Sequence, residues 1–273
     1  MSRHENTERS QLSIIHLSKT FNAGTPNKMV ALDDFSLEVP KSEFITILGS
    51  NGAGKSTLFN AILGKFLPDS GRIILDGDDI TYKKDYKRAA NIGCLYQNPL
   101  RGTAPNMTIE ENLALAYTRY ASRSFFAIHK KDSEYFRELL ATLDLGLEDR
   151  MKTKMGLLSG GQRQAASLLM ATIAKPKLLL LDEHTAALDP ATSKKVLEIT
   201  DRIIKENGLT AMMITHDMNQ ALSFGTRTIM MDAGRIVLDI TGEERTRMTA
   251  RALSELFSNK SGHLLSDRSM LSI

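Results

Sequence analysis

A chain of 273 residues that is 42% hydrophobic can bury a substantial core, which excludes wholesale disorder. Its single cysteine, Cys94, excludes an internal disulfide and any metal site built from several cysteines, and no apolar run nears the ~20 residues that span a bilayer. The formal charge is only +3 and no basic run reaches five residues, so no nucleic-acid partner is expected; Lys83-Lys84 and Lys130-Lys131 read as solvated surface.

Residues 1–10 form a polar lead-in. Met1 to Asn6 has none of the form of a secretory signal, so a cytosolic chain is expected. Leu12 to Ser18 begins a first strand, Phe21 follows it, and Asn22 to Lys28, with Gly24 and Pro26, is a loop. Ala31 to Val39 alternates as a second strand, and Glu43 to Leu48 is a buried one. A helix is expected over 55–63. Pro68 to Gly71 is a turn, and Arg72–Gly77 and Asn91–Gln97 are strands.

From residue 98 to about 158 the pattern becomes helical, over Glu110–Tyr120 and Ser133–Leu145, with no convincing strand. Alternation then resumes with a helix over 162–174, a buried strand over 177–182 and a helix over 191–207. A strand over 210–215, a short helix over 218–224 and a strand over 227–232 follow. Such alternation implies a sheet with a parallel core covered by helices. The expected organisation is a single domain over 11–242, with a helical subdomain inserted at 98–160. A C-terminal helical extension and tail occupy 243–273, helical to about 259 and loosely ordered over the last dozen residues.

Between the strand at 43–48 and the helix at 55–63 lies Gly49-Ser50-Asn51-Gly52-Ala53-Gly54-Lys55-Ser56-Thr57. It fits the phosphate-binding pattern G-x-x-x-x-G-K-[ST] at every fixed position. A triphosphate is a dense anion that backbone N–H groups can surround only where side chains are missing, hence Gly49, Gly52 and Gly54. The helix that follows points its positive end at the phosphates. Lys55 can reach the β- and γ-phosphates, and the Ser56 hydroxyl can ligate Mg²⁺.

Leu178 to Leu181 is an apolar strand ending in Asp182-Glu183, at the carboxyl edge where α/β folds bind ligands. Asp182 suits the holding of Mg²⁺, and Glu183 the polarising of an attacking water. Leu158-Ser159-Gly160-Gly161-Gln162 opens a helix with Ser159 as its cap. By physics alone, a second anion site and a tight glycine turn are comparable readings of that stretch.

Taken in order, the loop 49–57, Gln97, Leu158 to Gln162, Asp182-Glu183, Ala187-Leu188-Asp189-Pro190 and Thr215-His216-Asp217 resemble the ATP-binding-cassette (ABC) ATPases. The resemblance runs from about residue 12 to 242. It implies an α/β P-loop NTPase core with a mixed, largely parallel sheet, an N-terminal antiparallel β portion and an inserted α-helical subdomain. It also implies two copies stacked head to tail around two Mg-ATP, the phosphate loop of one facing Ser159-Gly160-Gly161-Gln162 of the other. On that pattern Gln97 senses Mg²⁺ and the attacking water, Asp189 reaches across the dimer, His216 contacts the γ-phosphate and Glu183, and Phe21 stacks on adenine. His184 stands where the family commonly has proline, and a structural role is expected for it.

One cassette without a membrane span points to a transporter's separate ATPase subunit. It would work with membrane permease subunits at the cytoplasmic face of the cell membrane, as a peripheral protein. Gln97-Asn98-Pro99, Gly102 to Pro105, Met107 to Asn112 and Asp182 to Pro190 are similar to bacterial uptake systems for tryptophan or tyrosine, which carry an extracytoplasmic substrate-binding protein. The alternatives are a cassette for lipid, envelope or export work and a regulatory module that binds ATP without hydrolysis; intact Glu183 and His216 argue against the latter.

Overall fold

The computed structural model describes residues 10–118 and 130–261. The loose lead-in expected before residue 10 and the loosely ordered last dozen residues lie outside the described residues. The chain forms two compact units, one made of residues up to Ile92 and from Leu209 onward, the other of Gly93–Gly208.

The first unit begins with β1 (Ser10–Phe21), β2 (Met29–Pro40), β3 (Phe44–Gly49), α1 (Lys55–Leu63), β4 (Ser70–Leu75), β5 (Asp78–Asp79) and α2 (Asp85–Arg88), and β6 (Ile92–Leu95) leads into the second. There follow α3 (Ile109–Thr118), α4 (Lys130–Ala141), a 3₁₀ turn at Met155–Leu157, α5 (Gly160–Thr172), β7 (Leu178–Asp182) and α6 (Pro190–Asn207). The chain returns to the first unit through β8 (Ala211–Ile214), α7 (Met218–Ser223), β9 (Arg227–Asp232), β10 (Arg235–Thr241), α8 (Gly242–Arg247) and α9 (Ala250–Ser261).

In the first unit, β2, β1, β4 and β5 form an antiparallel sheet in that order. Four more strands run β10-β9-β3-β8, with β3 parallel to both β8 and β9 and β10 antiparallel to β9. Every residue of β3 is buried, which is why its sequence reads as a mainly apolar run, broken at Thr46, rather than an alternation. Helix α1 is bounded by glycines in the left-handed region at both ends, Gly54 (φ 99°) and Gly64 (φ 77°).

The carboxyl end of α1 is closed by a buried cation. Arg88 donates from Nη1 to Ala61 O (2.7 Å) and Ile62 O (2.9 Å), from Nη2 to Thr81 O and from Nε to Lys83 O. Its guanidinium thus satisfies the Ile62 carbonyl and shares that of Ala61 with Gly64 N–H, and a positive charge belongs at that end of the helix dipole. Gly64 is required beside it, because a Cβ there would come 2.7 Å from Arg88 Nε.

The second unit packs α3, α4, α5 and α6 with β6 and β7. Leu178–Leu181 are wholly buried. Ile109 and Leu113 from α3, Phe136 and Leu140 from α4, and Ala165, Leu168 and Leu169 from α5 supply the helical core, each large aliphatic contributing roughly 1.5–3 kcal/mol on burial. Asp189 caps α6, Pro190 opens it and Gly208 ends it at φ 58°.

Local reading and structure differ at β10 and at the C-terminal helix, and the short β5 and α2 were not expected. Strand β10 is absent from the sequence-based expectation because a register shift between Ile236 and Leu238 breaks its alternation. The helix expected over 243–259 is two helices separated at Met248-Thr249. Within 98–158 no strand is expected, and pairing among the described residues amounts to a single bridge between Thr108 and Lys154.

Candidate active site

The phosphate loop, Phe21 and His216 belong to the first unit; Gln97, Ser159–Gln162, Asp182, Glu183 and Asp189 belong to the second. Each set is built differently.

The loop leaves β3 at Gly49, whose φ is +152°, and a Cβ there would lie 2.3 Å from Met231 O. At Gly54 a Cβ would lie 2.4 Å from Ala31 O. Backbone carbonyls cannot yield to such contacts, so both positions are closed to any side chain. Gly52, by contrast, has a positive φ and open space around it, so conformation alone demands glycine. The loop is tied down by Ala53 N–H to Ser50 O (3.1 Å) and by Gly234 N–H to Ala53 O (3.0 Å). Asn51 is exposed, whereas Lys55 is buried, with its ammonium donating to Gly49 O (2.7 Å) and Ser50 O (3.0 Å). The cation is thus held beneath the loop's own backbone. Ser56 is exposed on the first turn of α1, and Thr57 beside it is half-buried.

His216 emerges at the same edge of the sheet as the loop. Ile214 of β8 pairs with Ile47 of β3 in parallel, so His216 and Gly49 each lie two residues beyond a paired position. Its neighbours fix its backbone. Asp217 N–H donates to Thr215 Oγ1 (3.1 Å), and Asp217 Oδ1 accepts from Asn219 N–H and Gln220 N–H, capping α7. Phe21 ends β1, edge-on to Phe66 with ring centroids 5.3 Å apart, and Lys19 Nζ stands 5.6 Å from its ring centre. Lys19 is itself held by Leu67 O and Asp69, so one side of Phe21 is pinned.

In the second unit Gln97 and Glu183 meet, Gln97 Nε2 donating to Glu183 Oε2 at 3.3 Å. Glu183 has φ +46°, an unusual conformation for a residue with a side chain. It costs about 1–3 kcal/mol and persists where the surroundings impose it, often at reacting centres. Asp182, half-buried, closes β7.

The stretch Ser159–Gln162 makes a capping box in which Gln162 N–H donates to Ser159 Oγ (3.3 Å) and Ser159 N–H to Gln162 Oε1 (3.3 Å). Gln162 Nε2 also donates to Leu145 O, and Arg150 reaches Gln162 Oε1. Its two glycines have a packing reason as well: a Cβ on Gly161 would come 2.2 Å from Thr192 Cγ2, and one on Gly160 3.0 Å from Leu188 Cδ2. Asp189 accepts from Thr192 N–H, and the Thr192 hydroxyl, followed by that amide, holds its carboxyl below the usual carboxylate range.

Sequence reading missed two supports. Arg163 wraps the turn before Ser159, donating to Met155 O, Gly156 O and Leu158 O. Asn112, fully buried within α3, bonds both the N–H and the carbonyl of Ala104 and accordingly holds the segment after Gln97. An asparagine flanked by Leu113 and Ala116 inside a helix was the available signal, since asparagine is a poor helix former.

A family profile described as "ABC transporter" matches residues 32–186. The chain belongs to the ABC transporter ATPase family. The tyrosine transport ATP-binding protein of Clostridioides difficile is 42% identical over 90% of this chain and 98% of that relative. The sulfate/thiosulfate import ATP-binding protein CysA 2 of Chromobacterium violaceum is 37% identical over 94% of this chain and 66% of that protein. Among solved structures, a dimeric post-hydrolysis state of the ATP-binding cassette MJ0796 bound to ADP and Pi superposes with TM-score 0.71 at 28% identity, covering 84% of this chain and 98% of that one. As an ABC ATPase the chain hydrolyses ATP, and its fold is the α/β fold of the cassettes. No helix among the described residues is long and apolar enough to cross a membrane.

His184, in the position after Glu183, is not a free base. It is buried, and its Nε2 lies 3.2 Å from Thr200 Oγ1. The single Thr200 hydroxyl proton goes to Val196 O (2.8 Å), so the imidazole is the donor, from Nε2–H. Burial drives its pKa down from 6.5 to about 4. The unfolded chain therefore takes up a proton below pH 6.5 that the folded chain refuses until about pH 4. The stability contributed by neutral His184 is complete above pH 6.5 and is lost as pH falls toward 4. Urea unfolding at pH 5 and pH 7 should show wild type losing about 2 kcal/mol more than His184→Gln over that interval; equal losses would remove His184 as the source.

Proposed function

We propose that this chain is the ATP-hydrolysing subunit of an uptake transporter for aromatic amino acids, working as a head-to-tail pair of copies around two Mg-ATP. The observation that carries the hydrolytic part is Glu183, held at φ +46° at the end of β7 and hydrogen-bonded by Gln97. A carboxylate fixed in a strained conformation, with an amide donor restricting its rotation, suits the polarising of one water along one line. Gln97 is then the link between that carboxylate and the segment after it, which Asn112 holds.

In this reading the loop amides of residues 49–57 cradle the β- and γ-phosphates, and Lys55 supplies the charge. Phe21 stacks on adenine with its free face, and His216 receives the γ-phosphate from the sheet edge it shares with Gly49. Ser159, Gly160, Gly161 and Gln162 at the start of α5 are offered to the nucleotide of the second copy, with Asp189 reaching across. The Ser56 hydroxyl, the Asp182 carboxylate and the Gln97 amide oxygen are hard oxygen donors of the class Mg²⁺ takes, and these residues would hold it. When bound, the ion neutralises phosphate charge during transfer.

The organisation that goes with this is one ATPase domain over 11–242, its helical portion at 98–160 and an extension from 243. Its partners are two membrane permease subunits at the cytoplasmic face and an extracytoplasmic binding protein. The cargo assignment is supported by kinship with the tyrosine transport relative over nearly its whole length.

Replacing Glu183 by Gln should leave ATP affinity intact, lower turnover about 100-fold or more, as loss of a general base does, and yield an ATP-dependent dimer in analytical ultracentrifugation. Undiminished turnover would remove Glu183 from the chemistry. Reconstitution with a candidate permease and binding protein in vesicles, followed by uptake of radiolabelled tyrosine, tests the cargo. Accumulation that depends on ATP supports it; transport of an unrelated solute in place of aromatic amino acids overturns it.

A further inference from the structure

Helices α8 and α9 lie beyond the last of the motifs, Thr215-His216-Asp217, yet they reach the segment that bears His216. Arg245 of α8 is buried and donates from Nε to Thr228 Oγ1 (2.9 Å) and from Nη2 to Ala221 O (2.8 Å) and Phe224 O (2.5 Å). Ala221 lies in α7 and Phe224 is its C-cap. The same carbonyl of Ala221 accepts from Thr46 Oγ1 (2.9 Å) and Thr228 Oγ1 (3.2 Å), and the two hydroxyls lie 2.9 Å apart. Thr46 is in β3, three residues before Gly49. One buried polar network therefore joins the strand that feeds the phosphate loop, the carboxyl end of α7 and the C-terminal extension.

Apolar packing runs in parallel. Leu253 and Phe257 of α9 share a cluster with Met218 and Ala221 of α7 and with Leu48 of β3. At the amino end of α7, Asp217 and Thr215 bond its first turn and bracket His216. A six-residue helix is only about 9 Å long, so a displacement at its Arg245 end is transmitted to its His216 end with little loss. A guanidinium at the carboxyl end also has the sign the helix dipole favours.

We propose that Arg245 is a positioning residue for His216: the C-terminal extension clasps α7 from its carboxyl end and so sets where the histidine stands at the loop edge. The inference rests on the proposed contact of His216 with the γ-phosphate. The extension thereby becomes a lever on turnover, and loosening α8 slows hydrolysis without weakening nucleotide capture, which belongs to the phosphate loop.

The test uses the full chain with Arg245→Gln, with Thr228→Val as an isosteric variant that removes the Nε partner should the first fail to fold. Each is made alone and with His216→Ala. Amide hydrogen exchange over residues 215–224 should speed up about tenfold as α7 loosens. The kcat of the single variants should fall about tenfold with the ATP KM within about twofold, and the double variants should be no slower than His216→Ala alone, as expected of groups acting as a unit. Unchanged exchange and unchanged kcat in both folded variants would overturn the clasp, as would a drop that multiplies with that of His216→Ala. Full turnover in His216→Ala alone would instead sink the catalytic reading of the histidine, and is distinguishable because the exchange measurement reports the clasp independently.

Discussion

Everything in the first unit accommodates one steric constraint: the connection from β3 to α1 must run so close to neighbouring backbone that it has no room for side chains at Gly49 and Gly54. The carbonyls of Met231 and Ala31 would stand 2.3 and 2.4 Å from a Cβ at those positions. That closeness comes from β3 lying parallel to β9 and from β2 passing under the loop. It puts the ammonium of Lys55 beneath the loop, on the carbonyls of Gly49 and Ser50. The loop is preorganised for an anion by the same packing that makes it rigid. Arg88 fixes the far end of α1, so the helix that follows the loop is anchored at both termini.

The second unit answers with strain rather than closeness. Glu183 is held in the left-handed region, while the neighbouring His184 is buried, neutral and bonded to Thr200. The imidazole anchors the turn after β7 to α6, next to the carboxylate proposed to act on water. The stability lost on acidification and the strained backbone of Glu183 thus share one turn. The stretch Ser159–Gln162 shows a similar economy, since Gly161 both opens the start of α5 and lets α5 approach Thr192 of α6.

Features with a local cause were legible in the sequence. Helix α1 and strand β9 fall at the expected bounds, because glycine punctuation and apolar runs mark them within a few residues. The motif residues were found by spacing and by resemblance, and physics alone left Gly160-Gly161 undecided. What stayed hidden depends on distant partners. A bulge in β10 erased its alternation, and the tightness at Gly161 needs Thr192, which arrives 31 residues later. Arg88 and Arg245 look like surface charges in a sequence. They are buried because each meets several backbone carbonyls at a helix end, and no local pattern announces that.

Calorimetric titration of Mg-ATP into the Glu183→Gln chain, with and without Lys55→Met, measures the loop's grip directly. Losing a charged donor to phosphate is worth about 1.5–3 kcal/mol, so affinity should drop roughly 10- to 100-fold while the fold survives. Equal affinity in the two chains would contradict the claim that this loop and its buried ammonium bind the nucleotide.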